Sequence, residues 1–458
     1  MIEKGNILSV ECTGMGHNGE GVCRYDGLAL FVPSALPGEI VEIEVTEVKK
    51  RFAAGKVSKI IKKSEERIDP ICPLFGECGG CQLQHLDYNS QLRWKKRMVE
   101  DAFSRIGNLK EVTVNSVLGM DEPLNYRNKM QLPVGLVAND VAIGCYQRGS
   151  HQVVDATVDC FIQSDWNNQL LQTIRKLMKD FYIPCYQEGN HSGWLRHIMG
   201  RSNRAGQGIL VLVGTTNEVP ENFSHWLPIL QNIEGLGGIV LNLNSGRTNT
   251  VLGRENILLF GQDQLLETLG NLDFSLSATA FFQVNPVQTE VLYSKVREFA
   301  ELTGEETILD AYCGTGTIGL YLARDAKKII GVERYDQAVE DAKKNAEMNQ
   351  ISNCEFWAGD VEKYLDEIQK LKLDLIIVDP PRSGCSPEML EALNQTGAKR
   401  MIYVSCNPST LARDAKWLDA EGWKIKKVQP VDMFPHTAHV ETCVLLSHKK
   451  SQASSPSL

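Results

Sequence analysis

The amino-acid sequence predicts a multidomain protein in which an α/β Rossmann-like domain follows a small β-barrel and a mixed α+β region. From about residue 285 onward, strand-like apolar runs alternate with helical patterns, which is typical of a parallel sheet covered by helices on both faces. Residues 1–61 contain short β-branched runs separated by glycine-rich turns, which is typical of a small barrel. The chain has 458 residues, and single cores stop growing near ~250–300 residues, so more than one domain is expected.

Four segments follow from these patterns. They are a barrel at 1–61, a central α+β region at 62–275, an α/β domain at 276–448 and a polar tail at 449–458. The tail is rich in serine, and we expect it to be disordered. The final two strand-like runs, at 423–431 and 439–446, lie too close together for a helical crossover, so we predict that they pair antiparallel.

Composition and charge restrict the class of protein. Hydrophobic residues make up 43% and charged residues 23%, as in soluble globular proteins. No apolar run reaches the ~18 residues that a membrane helix needs, and the N-terminus lacks a signal pattern, so we expect a cytoplasmic protein without a membrane partner. The net charge of −9 argues against bulk non-specific binding to nucleic acid, although residues 49–63 contain seven Lys or Arg and no acid.

A glycine-rich turn within residues 309–319 predicts a site for a nucleotide-type cofactor. Gly314 and Gly316 follow an apolar strand and precede a helical pattern, so the backbone there can turn tightly and approach a ligand closely. Glu333 ends the next strand, where a carboxylate can bind ribose hydroxyls. The spacing is also that of a dinucleotide oxidoreductase. Asp310, which can pair with a cationic amino group, favours S-adenosylmethionine instead, as does the antiparallel hairpin that ends the sheet.

Three reactive side chains stand at strand ends of the same predicted sheet. Asp379 begins an Asp-Pro-Pro-Arg run after an apolar strand, Cys406 closes the next strand, and Glu441 lies at the start of the final strand. The carboxyl ends of parallel strands share one edge of a sheet, so we expect these side chains to face one crevice. Cys313 and Cys385 flank the cofactor loops and compete with Cys406 for the role of reactive thiol.

A thiol and a carboxylate beside a methyl donor suit methylation of carbon 5 of uracil. A Cys406 thiolate that adds to carbon 6 makes carbon 5 nucleophilic enough to take a sulfonium methyl group. Glu441 can then remove the proton from carbon 5 as general base, and Cys406 leaves by elimination. The helix predicted to start at Pro408 is expected to help lower the pKa of the thiol, because a helix N-terminus stabilises an anion.

The spacing of the cysteines predicts a metal site. The chain has 13 cysteines, and without an export signal we do not expect disulfides. Cys72, Cys78 and Cys81 are closely spaced, and a four-coordinate site needs one more ligand. Cys160, which follows a polar turn, is the best candidate for it. Four thiolates suit either zinc or an iron–sulfur cluster.

The order of these motifs resembles that of the bacterial 23S rRNA (uracil-5-)-methyltransferase family over nearly the whole chain. The resemblance implies that 1–61 is a TRAM domain, an OB-like barrel that binds RNA. It implies an S-adenosylmethionine-dependent enzyme with Cys406 as nucleophile and Glu441 as base. The implied ligands of a 4Fe–4S cluster are Cys72, Cys78, Cys81 and Cys160. The implied cofactor contacts are Gln283 in a Phe-Gln-Val-Asn run, Tyr312, Gly314, Gly316, Glu333, Asp360 and Asp379.

The resemblance also indicates the substrate. The tRNA-directed relatives usually lack both the barrel and the cluster, so 23S rRNA is the expected partner of a monomeric enzyme. The target uridine must leave its stack, so we expect the RNA to be single-stranded or refolded around it. Phe281, Phe282 and Phe434 are candidates to stack on the base, although we expect Phe281 to pack in the core.

Three alternative functions remain open. The first is the same chemistry on tRNA. The second is an amino-group nucleic-acid methyltransferase, which usually has an aromatic residue after Asp-Pro-Pro, where this chain has Arg382. The third is a redox-sensing RNA-binding protein that uses the cluster as its switch, and the intact set of residues around Cys406 argues against it.

Overall fold

The N-terminal strands form a closed barrel. A computed structural model describes residues 2–247 and 250–448 of the chain. The barrel strands are β1 Ile7–Met15, β2 Gly21–Tyr25, β3 Leu28–Val32, β4 Ile40–Val48 and β5 Phe52–Lys62. They pair in the order β1-β2-β3-β5-β4. In β4, Val41, Ile43 and Val45 are buried inside the barrel, because alternate residues of a strand face the same side. The predicted barrel is therefore confirmed.

The segment between the barrel and the central sheet carries the closely spaced cysteines and one long helix. Helix α1 spans Tyr88–Asp101 and continues as a π-helical turn over Ala102–Ile106. Asp87 caps the helix, because its side chain accepts the Ser90 N–H at 3.1 Å. Lys95 lies on the buried face of α1 and is fully enclosed.

A six-stranded sheet forms the middle of the molecule. Its strands are β6 Lys129–Val137, β7 Asp140–Ile143, β8 Leu195–Ser202, β9 Gly208–Gly214, β10 Leu236–Leu243 and β11 Glu255–Gly261. Helices α2 (Asp165–Phe181) and α3 (Trp226–Leu230) pack on one face of it. A hairpin of β12 (Gln264–Leu269) and β13 (Leu272–Ser277) leads to the C-terminal domain.

A seven-stranded sheet organises the C-terminal domain. Its strands are β14 Thr307–Ala311, β15 Lys328–Glu333, β16 Cys354–Ala358, β17 Leu375–Val378, β18 Arg400–Ser405, β19 Trp423–Val431 and β20 Glu441–His448. The order is β16-β15-β14-β17-β18-β20-β19, and β20 runs antiparallel to both of its neighbours. This confirms the predicted antiparallel pairing. Along the sheet, the chain order of the strands runs in opposite directions on the two sides of β14. The loops that follow β14 and β17 therefore lead to opposite faces of the sheet and leave a crevice between them.

Helices cover both faces of this sheet. They are α4 Pro286–Ala300, α5 Thr317–Leu322, α6 Asp336–Met348, α7 Leu365–Lys370, α8 Pro387–Gln395 and α9 Pro408–Ala420. Two separate apolar cores, one on each face of the sheet, bury its strands from both sides. The α/β architecture with helices on both faces is therefore confirmed.

The structure leaves two parts of the predicted division of the chain untested. The domain boundaries after residues 61 and 275 stay predictions, and the tail at 449–458 lies outside the described residues. Within residues 2–247 and 250–448, no helix combines the length and the apolar character that crossing a membrane requires.

Candidate active site

One large cleft opens where the C-terminal sheet meets the cysteine-rich segment. Its volume is about 1640 Å³. Residues that follow β14, β15, β17 and β18 line one side, since parallel strands direct their next loops to the same edge. Cysteines from the segment after the barrel and residues 158–163 line the other end. The cleft thus brings together residues that are far apart in the sequence.

Gly314 and Gly316 shape the turn between β14 and α5. Their φ angles are 54° and 80°, in the left-handed region that favours glycine. A Cβ on Gly316 would lie 3.0 Å from a ring carbon of Phe356, so a side chain there would have to displace the ring. Gly314 and Thr315 line the cleft, whereas Gly316 packs behind them. The backbone of the turn therefore faces the space in which a cofactor would bind.

Asp310 lies at the end of β14 and is 1% exposed. Its Oδ2 accepts the Gly319 N–H at 2.9 Å, which ties the carboxyl group to helix α5. Its Oδ1 has no hydrogen-bond partner among the described residues, and the side chain lines the cleft. Burial raises the pKa of Asp310 to about 7. A cationic amino group in the cleft would satisfy this oxygen and favour the ionised carboxylate.

Three of the other predicted cofactor contacts lie beside the turn. Gln283, Tyr312 and Glu333 all line the cleft. The Glu333 carboxylate accepts the backbone N–H groups of Gly314 at 3.2 Å and of Tyr335 at 3.0 Å. These two bonds fix the carboxylate at the end of β15, with lone pairs left for a further ligand.

The rim of the cleft carries an exposed aromatic ring and a charged group. Phe281 is 74% exposed, so the expectation that it packs in the core is wrong. Phe282 is the buried member of this pair, because neighbouring residues of an extended segment point in opposite directions. Asp360 also lines the cleft, with the side-chain nitrogens of Arg334 and Lys363 each 3.7 Å away.

Cys406 lies in the short connection between β18 and α9 and is half-buried at the cleft. The next residue, Asn407, caps α9 by accepting the Ser409 N–H at 3.0 Å. The Asn407 Nδ2 donates to the Arg382 carbonyl at 3.0 Å. The loop that carries Cys406 is therefore joined to the loop after β17.

Two carboxyl groups share the Cys406 end of the cleft. Glu441, at the start of β20, is 4% exposed, and Asp379 follows β17. Burial raises the pKa of Glu441 to about 8 and that of Asp379 to about 7, and the charge of Asp379 adds to the shift of Glu441. Arg382 opposes the shift of Glu441. Near neutral pH Glu441 therefore holds a proton for much of the time in the free protein.

The Cys406 thiol does not have the lowered pKa expected from its place before a helix. Burial raises its pKa to about 11, and the charges of Glu441 and Asp379 add to the shift, whereas Arg382 lowers it. Helix α9 does begin at Pro408. Loss of solvent and two nearby carboxyl groups outweigh its effect, so thiolate formation needs a change in local charge or a base.

The two competing thiols are less available. Cys385 is 4% exposed, and burial raises its pKa to about 12. Cys313 is 5% exposed and packs within the core of the C-terminal domain. The half-buried Cys406 is more accessible from the cleft than either of them.

Five cysteines gather at the other end of the cleft. The four predicted ligands are among them: Cys72, Cys78, Cys81 and Cys160. The fifth is Cys145, whose Sγ lies 3.4 Å from the place that a Cβ on Gly80 would take, as does the Sγ of Cys78. The neighbouring thiol of Cys145 lowers the pKa of Cys78. In the part of the chain that the structure describes, no three metal-binding side chains converge on a single ion position.

Sequence reasoning missed the residues that hold the loop before β20. Lys95 donates to Asp432 Oδ1 at 2.5 Å and to the Phe434 carbonyl at 3.0 Å. The Tyr88 hydroxyl donates to the same carboxylate at 3.0 Å. Lys95 and Asp432 are separated by 337 positions, so no local pattern could reveal the pair. Cys145 was also missed, because nothing in the residues around it distinguishes it from a buried core cysteine, and only the fold brings it beside the cysteine-rich segment.

Fold and cleft together define a Rossmann-like methyltransferase with a site for a nucleoside cofactor, and comparisons with known proteins identify its family. A sequence profile of the tRNA (Uracil-5-)-methyltransferase family matches residues 250–449, and a TRAM domain profile matches residues 3–58. An uncharacterized RNA methyltransferase of Clostridium tetani is 43% identical over 450 residues, which cover 98% of this chain and 97% of that protein. Another from Halalkalibacterium halodurans is 42% identical over 451 residues, which cover 98% of each.

A solved structure extends the likeness to the whole fold. It is the Pyrococcus abyssi tRNA (uracil-54, C5)-methyltransferase in complex with S-adenosyl-L-homocysteine, with a TM-score of 0.77 and 28% identity. The match covers 96% of this chain and 99% of that one. The chain therefore belongs to the RNA (uracil-5-)-methyltransferase family, and it is an S-adenosylmethionine-dependent enzyme that acts on RNA.

Proposed function

We propose that this enzyme transfers a methyl group from S-adenosylmethionine to carbon 5 of a uridine in 23S rRNA, with Cys406 as nucleophile and Glu441 as general base. The observation that carries the proposal is the convergence of Cys406, Asp379 and Glu441 in a cleft that also contains the glycine turn. Each of the two carboxyl groups raises the pKa of Cys406, so the three groups lie within electrostatic reach. A thiol, a base and a methyl-donor site are the parts that this reaction needs.

The cofactor site extends from the glycine turn along the strand ends. Bound S-adenosylmethionine supplies an electrophilic methyl group on a positively charged sulfur. Asp310 would accept a hydrogen bond from the amino group through its free Oδ1, and Glu333 would accept from the ribose hydroxyls. The remaining contacts come from residues that line the same wall: Gln283, Tyr312, Gly314, Asp360 and Asp379.

Cys406 begins the reaction. Its thiol gives its proton to solvent at the open side of the cleft, and Arg382 together with the positive charge of bound S-adenosylmethionine would favour the resulting thiolate. The Sγ then bonds to carbon 6 of uracil, and the electron pair of the C5–C6 double bond moves into the ring carbonyl as an enolate. Carbon 5 next bonds to the methyl group as the bond between that methyl and the cofactor sulfur breaks.

Glu441 completes the reaction. Its carboxylate takes the proton from carbon 5, the C5–C6 double bond forms again, and the bond between Cys406 and carbon 6 breaks. Burial and the charge of Asp379 make this carboxylate a stronger base than an ordinary glutamate. The raised pKa thus serves proton removal, provided that Glu441 is ionised when the adduct is present.

The RNA reaches Cys406 as a flipped nucleotide. The target uridine is single-stranded or refolded, since a stacked base cannot present carbon 6 to a thiol within a cleft. Phe281, exposed at the rim, stacks on a base of the bound RNA. Phe434 is only half-buried and lines the cleft on the Glu441 side, so it is a second surface for stacking.

The cysteine end of the cleft suits a 4Fe–4S cluster held by four thiolates: Cys72, Cys78, Cys81 and Cys160. Each iron of such a cluster takes one thiolate, so the ligands surround a volume and need not converge on one point. Burial and the charges of the other thiolates raise the pKa of Cys81, so these sulfurs lie close enough to interact. When bound, the cluster would deprotonate the four thiols and hold their segment in place.

A mutant pair tests the chemistry. Cys406→Ala is expected to abolish methyl transfer while cofactor binding persists, and Glu441→Gln is expected to accumulate a covalent protein–RNA adduct. Cys354→Ala, a half-buried cysteine of the same domain that does not line the cleft, is the matched control. If Cys406→Ala still methylates uridine, or if mass analysis finds the methyl group on an exocyclic nitrogen, the proposal is wrong.

A second candidate substrate is tRNA. The likeness to the Pyrococcus abyssi tRNA enzyme covers 96% of this chain, so the presence of the barrel does not argue against tRNA. Nucleoside analysis of separated rRNA and tRNA from cells that lack this protein distinguishes the two. Loss of 5-methyluridine from 23S rRNA supports the proposal, and loss from tRNA alone assigns the enzyme to tRNA.

A further inference from the structure

The cysteine-rich segment is hydrogen-bonded directly to the loop that leads into β20. We call residues 432–440 the β19–β20 loop. The backbone N–H groups of Gln82 and Leu83 both donate to the His436 carbonyl, at 3.0 and 2.9 Å. The side chain of Gln82 adds a third bond, since its Oε1 accepts the Ala438 N–H at 3.2 Å. These bonds hold the stretch of chain that comes just before Glu441.

Gln82 also reaches back to the cysteines. Its Nε2 donates to the Gly79 carbonyl at 2.7 Å, and Gly79 lies between Cys78 and Cys81. An amide side chain carries one acceptor and one donor group, so it can make both contacts at once. A single side chain therefore bridges the cysteine loop and the β19–β20 loop.

The same junction is tightly packed. Leu83, Trp94 and Ala438 form a buried apolar cluster. A Cβ on Gly19 of the barrel would lie 3.0 Å from Leu83 and 3.2 Å from the Cβ of Gln82. The barrel turn that contains Gly19 therefore lies very close to both residues. Barrel, cysteine segment and β19–β20 loop meet here, with little space in which any of them can shift independently.

Helix α1 supports the bridge from its buried face. Gln91 is fully buried, and its Oε1 accepts the His436 N–H at 3.0 Å. Its Nε2 donates to the carbonyls of Leu83 at 3.1 Å and Leu86 at 2.8 Å. The β19–β20 loop has no regular secondary structure at 432–440, so these side chains determine its path.

We infer that Gln82 is a positioning residue. Its hydrogen bonds couple the position of the cysteine loop to that of the β19–β20 loop, and so to the position of Glu441. The inference rests on the proposed function, because it takes Glu441 to be the group that removes the proton from carbon 5. A small displacement of a reacting group can reduce a rate by roughly 100-fold even when its cause lies far from the reacting atoms. Loss of the bridge is therefore expected to slow proton removal while leaving cofactor binding intact.

The test compares Gln82→Leu with Gln82→Glu in the full-length protein. Gln82→Leu removes both side-chain hydrogen bonds while keeping a side chain of similar volume. We expect the rate at which methylated RNA is released in a single turnover to fall roughly 10- to 100-fold. The methylated covalent adduct should accumulate on a denaturing gel, because only the step that needs Glu441 is slowed. Gln82→Glu keeps an oxygen for the Ala438 N–H but cannot donate to the Gly79 carbonyl, so it should stay slow if the rate depends on the link to the cysteine loop.

Controls separate this inference from the proposed function. Gln169→Leu, an exposed position on α2, should behave as the wild type. Cofactor affinity and iron content of Gln82→Leu should stay within about twofold of the wild type, whereas general misfolding would reduce both. Two outcomes for Gln82→Leu would overturn the role of Gln82 and leave that of Glu441 intact. One is an unchanged rate. The other is a slower rate without accumulated adduct, while Glu441→Gln does accumulate the adduct. If Glu441→Gln accumulates no adduct either, the role of Glu441 fails, and the inference fails with it.

Discussion

At the residue scale, the proposed mechanism depends on the protonation of three neighbouring groups. Burial raises the pKa of Glu441 to about 8, that of Asp379 to about 7 and that of Cys406 to about 11. In the free protein the thiol and the base are therefore mostly protonated at neutral pH, which protects the thiol from unwanted reactions. The proposed mechanism requires the ionised forms, so it predicts that binding of substrate and cofactor supplies compensating charge or hydrogen bonds.

This balance predicts the pH dependence of the rate. Ionised Glu441 and thiolate Cys406 both become more abundant as pH rises, so below pH ~8 the single-turnover rate should increase by about tenfold per pH unit if one ionisation limits it and by up to about 100-fold if both do. Asp379→Asn removes a negative charge and should move this increase to lower pH, because the pKa of Glu441 falls. The measurement is a quenched-flow pH profile from 6 to 9 at saturating cofactor. A rate that is constant between pH 6 and 8 would contradict the assignment.

The fifth cysteine allows a test of the cluster ligands. Cys145 lies beside Cys78, whereas Cys160 is the proposed fourth ligand. We expect Cys160→Ser to lose most of its iron and Cys145→Ser to keep it, because a neighbouring thiol is less essential than a ligand. Iron and sulfide content after anaerobic purification are the measurements, with Cys185→Ser as a buried control in the same region. The reverse outcome would make Cys145 the ligand.

At the element scale, helix α1 acts as a support for the β19–β20 loop. The Lys95 ammonium and the Asp432 carboxylate are both 0% exposed and form an ion pair at 2.5 Å. Burial lowers the pKa of Lys95, and the charge of Asp432 opposes that shift. The Asn285 side chain, just before α4, donates to the Met433 carbonyl at 3.0 Å from the other side. A loop without regular structure thus becomes well defined through contacts from two helical segments.

Breaking this ion pair is expected to destabilise the protein strongly. Lys95→Met leaves the Asp432 charge buried without its partner, at a cost of roughly 3–5 kcal/mol in the free energy of unfolding. Lys96→Met removes a solvent-exposed pair on the same helix and should cost less than about 1 kcal/mol. Denaturant unfolding measures both. Combining Lys95→Met with Asp432→Leu should recover part of the loss, and no recovery would argue against an uncompensated charge as the cause.

At the scale of the whole molecule, the distribution of charge over the surface matters more for RNA binding than the net charge. The net charge is −9, yet the barrel strand β5 and the residue after it expose Lys59, Lys62 and Lys63. Two other lysines of the basic run, Lys49 and Lys56, form ion pairs with glutamates of the barrel itself. For Lys59, Lys62 and Lys63, no ion pair forms within the described ranges 2–247 and 250–448. These three side chains are therefore available for RNA phosphates.

The barrel lysines predict a salt-dependent contribution to RNA binding. Lys59→Glu combined with Lys63→Glu should raise the KM for RNA and reduce the salt slope by roughly 0.7 per lost phosphate contact. The Kd for the cofactor should not change, since the cofactor residues lie in another domain. Lys416→Glu combined with Lys426→Glu, two exposed positions of the C-terminal domain, is the control that changes the net charge by the same amount. An equal effect of the control would mean that the net charge, and not this face of the barrel, governs binding.

Much of the architecture could be predicted because it depends on local patterns. Strand–helix alternation indicated the α/β domain, and the short connection before the last strand indicated its antiparallel pairing. The insertion of β20 between β18 and β19 was not predictable, since the choice between two possible neighbours depends on packing across the sheet. The roles of Cys406, Glu441 and the cofactor contacts stay predictions, although all except Gly316 line one cleft.

The sequence by itself determined which chemical groups follow which strands, because the order of strands and turns is written along the chain. Only the tertiary structure decided how those groups behave. It exposed Phe281, raised the pKa of Cys406, brought Cys145 beside Cys78 and set Gln82 between the cysteines and the β19–β20 loop. The physical reason is that burial, charge and hydrogen bonding depend on neighbours in space, and these neighbours are distant in the chain: Gln82 and Ala438 are 356 positions apart.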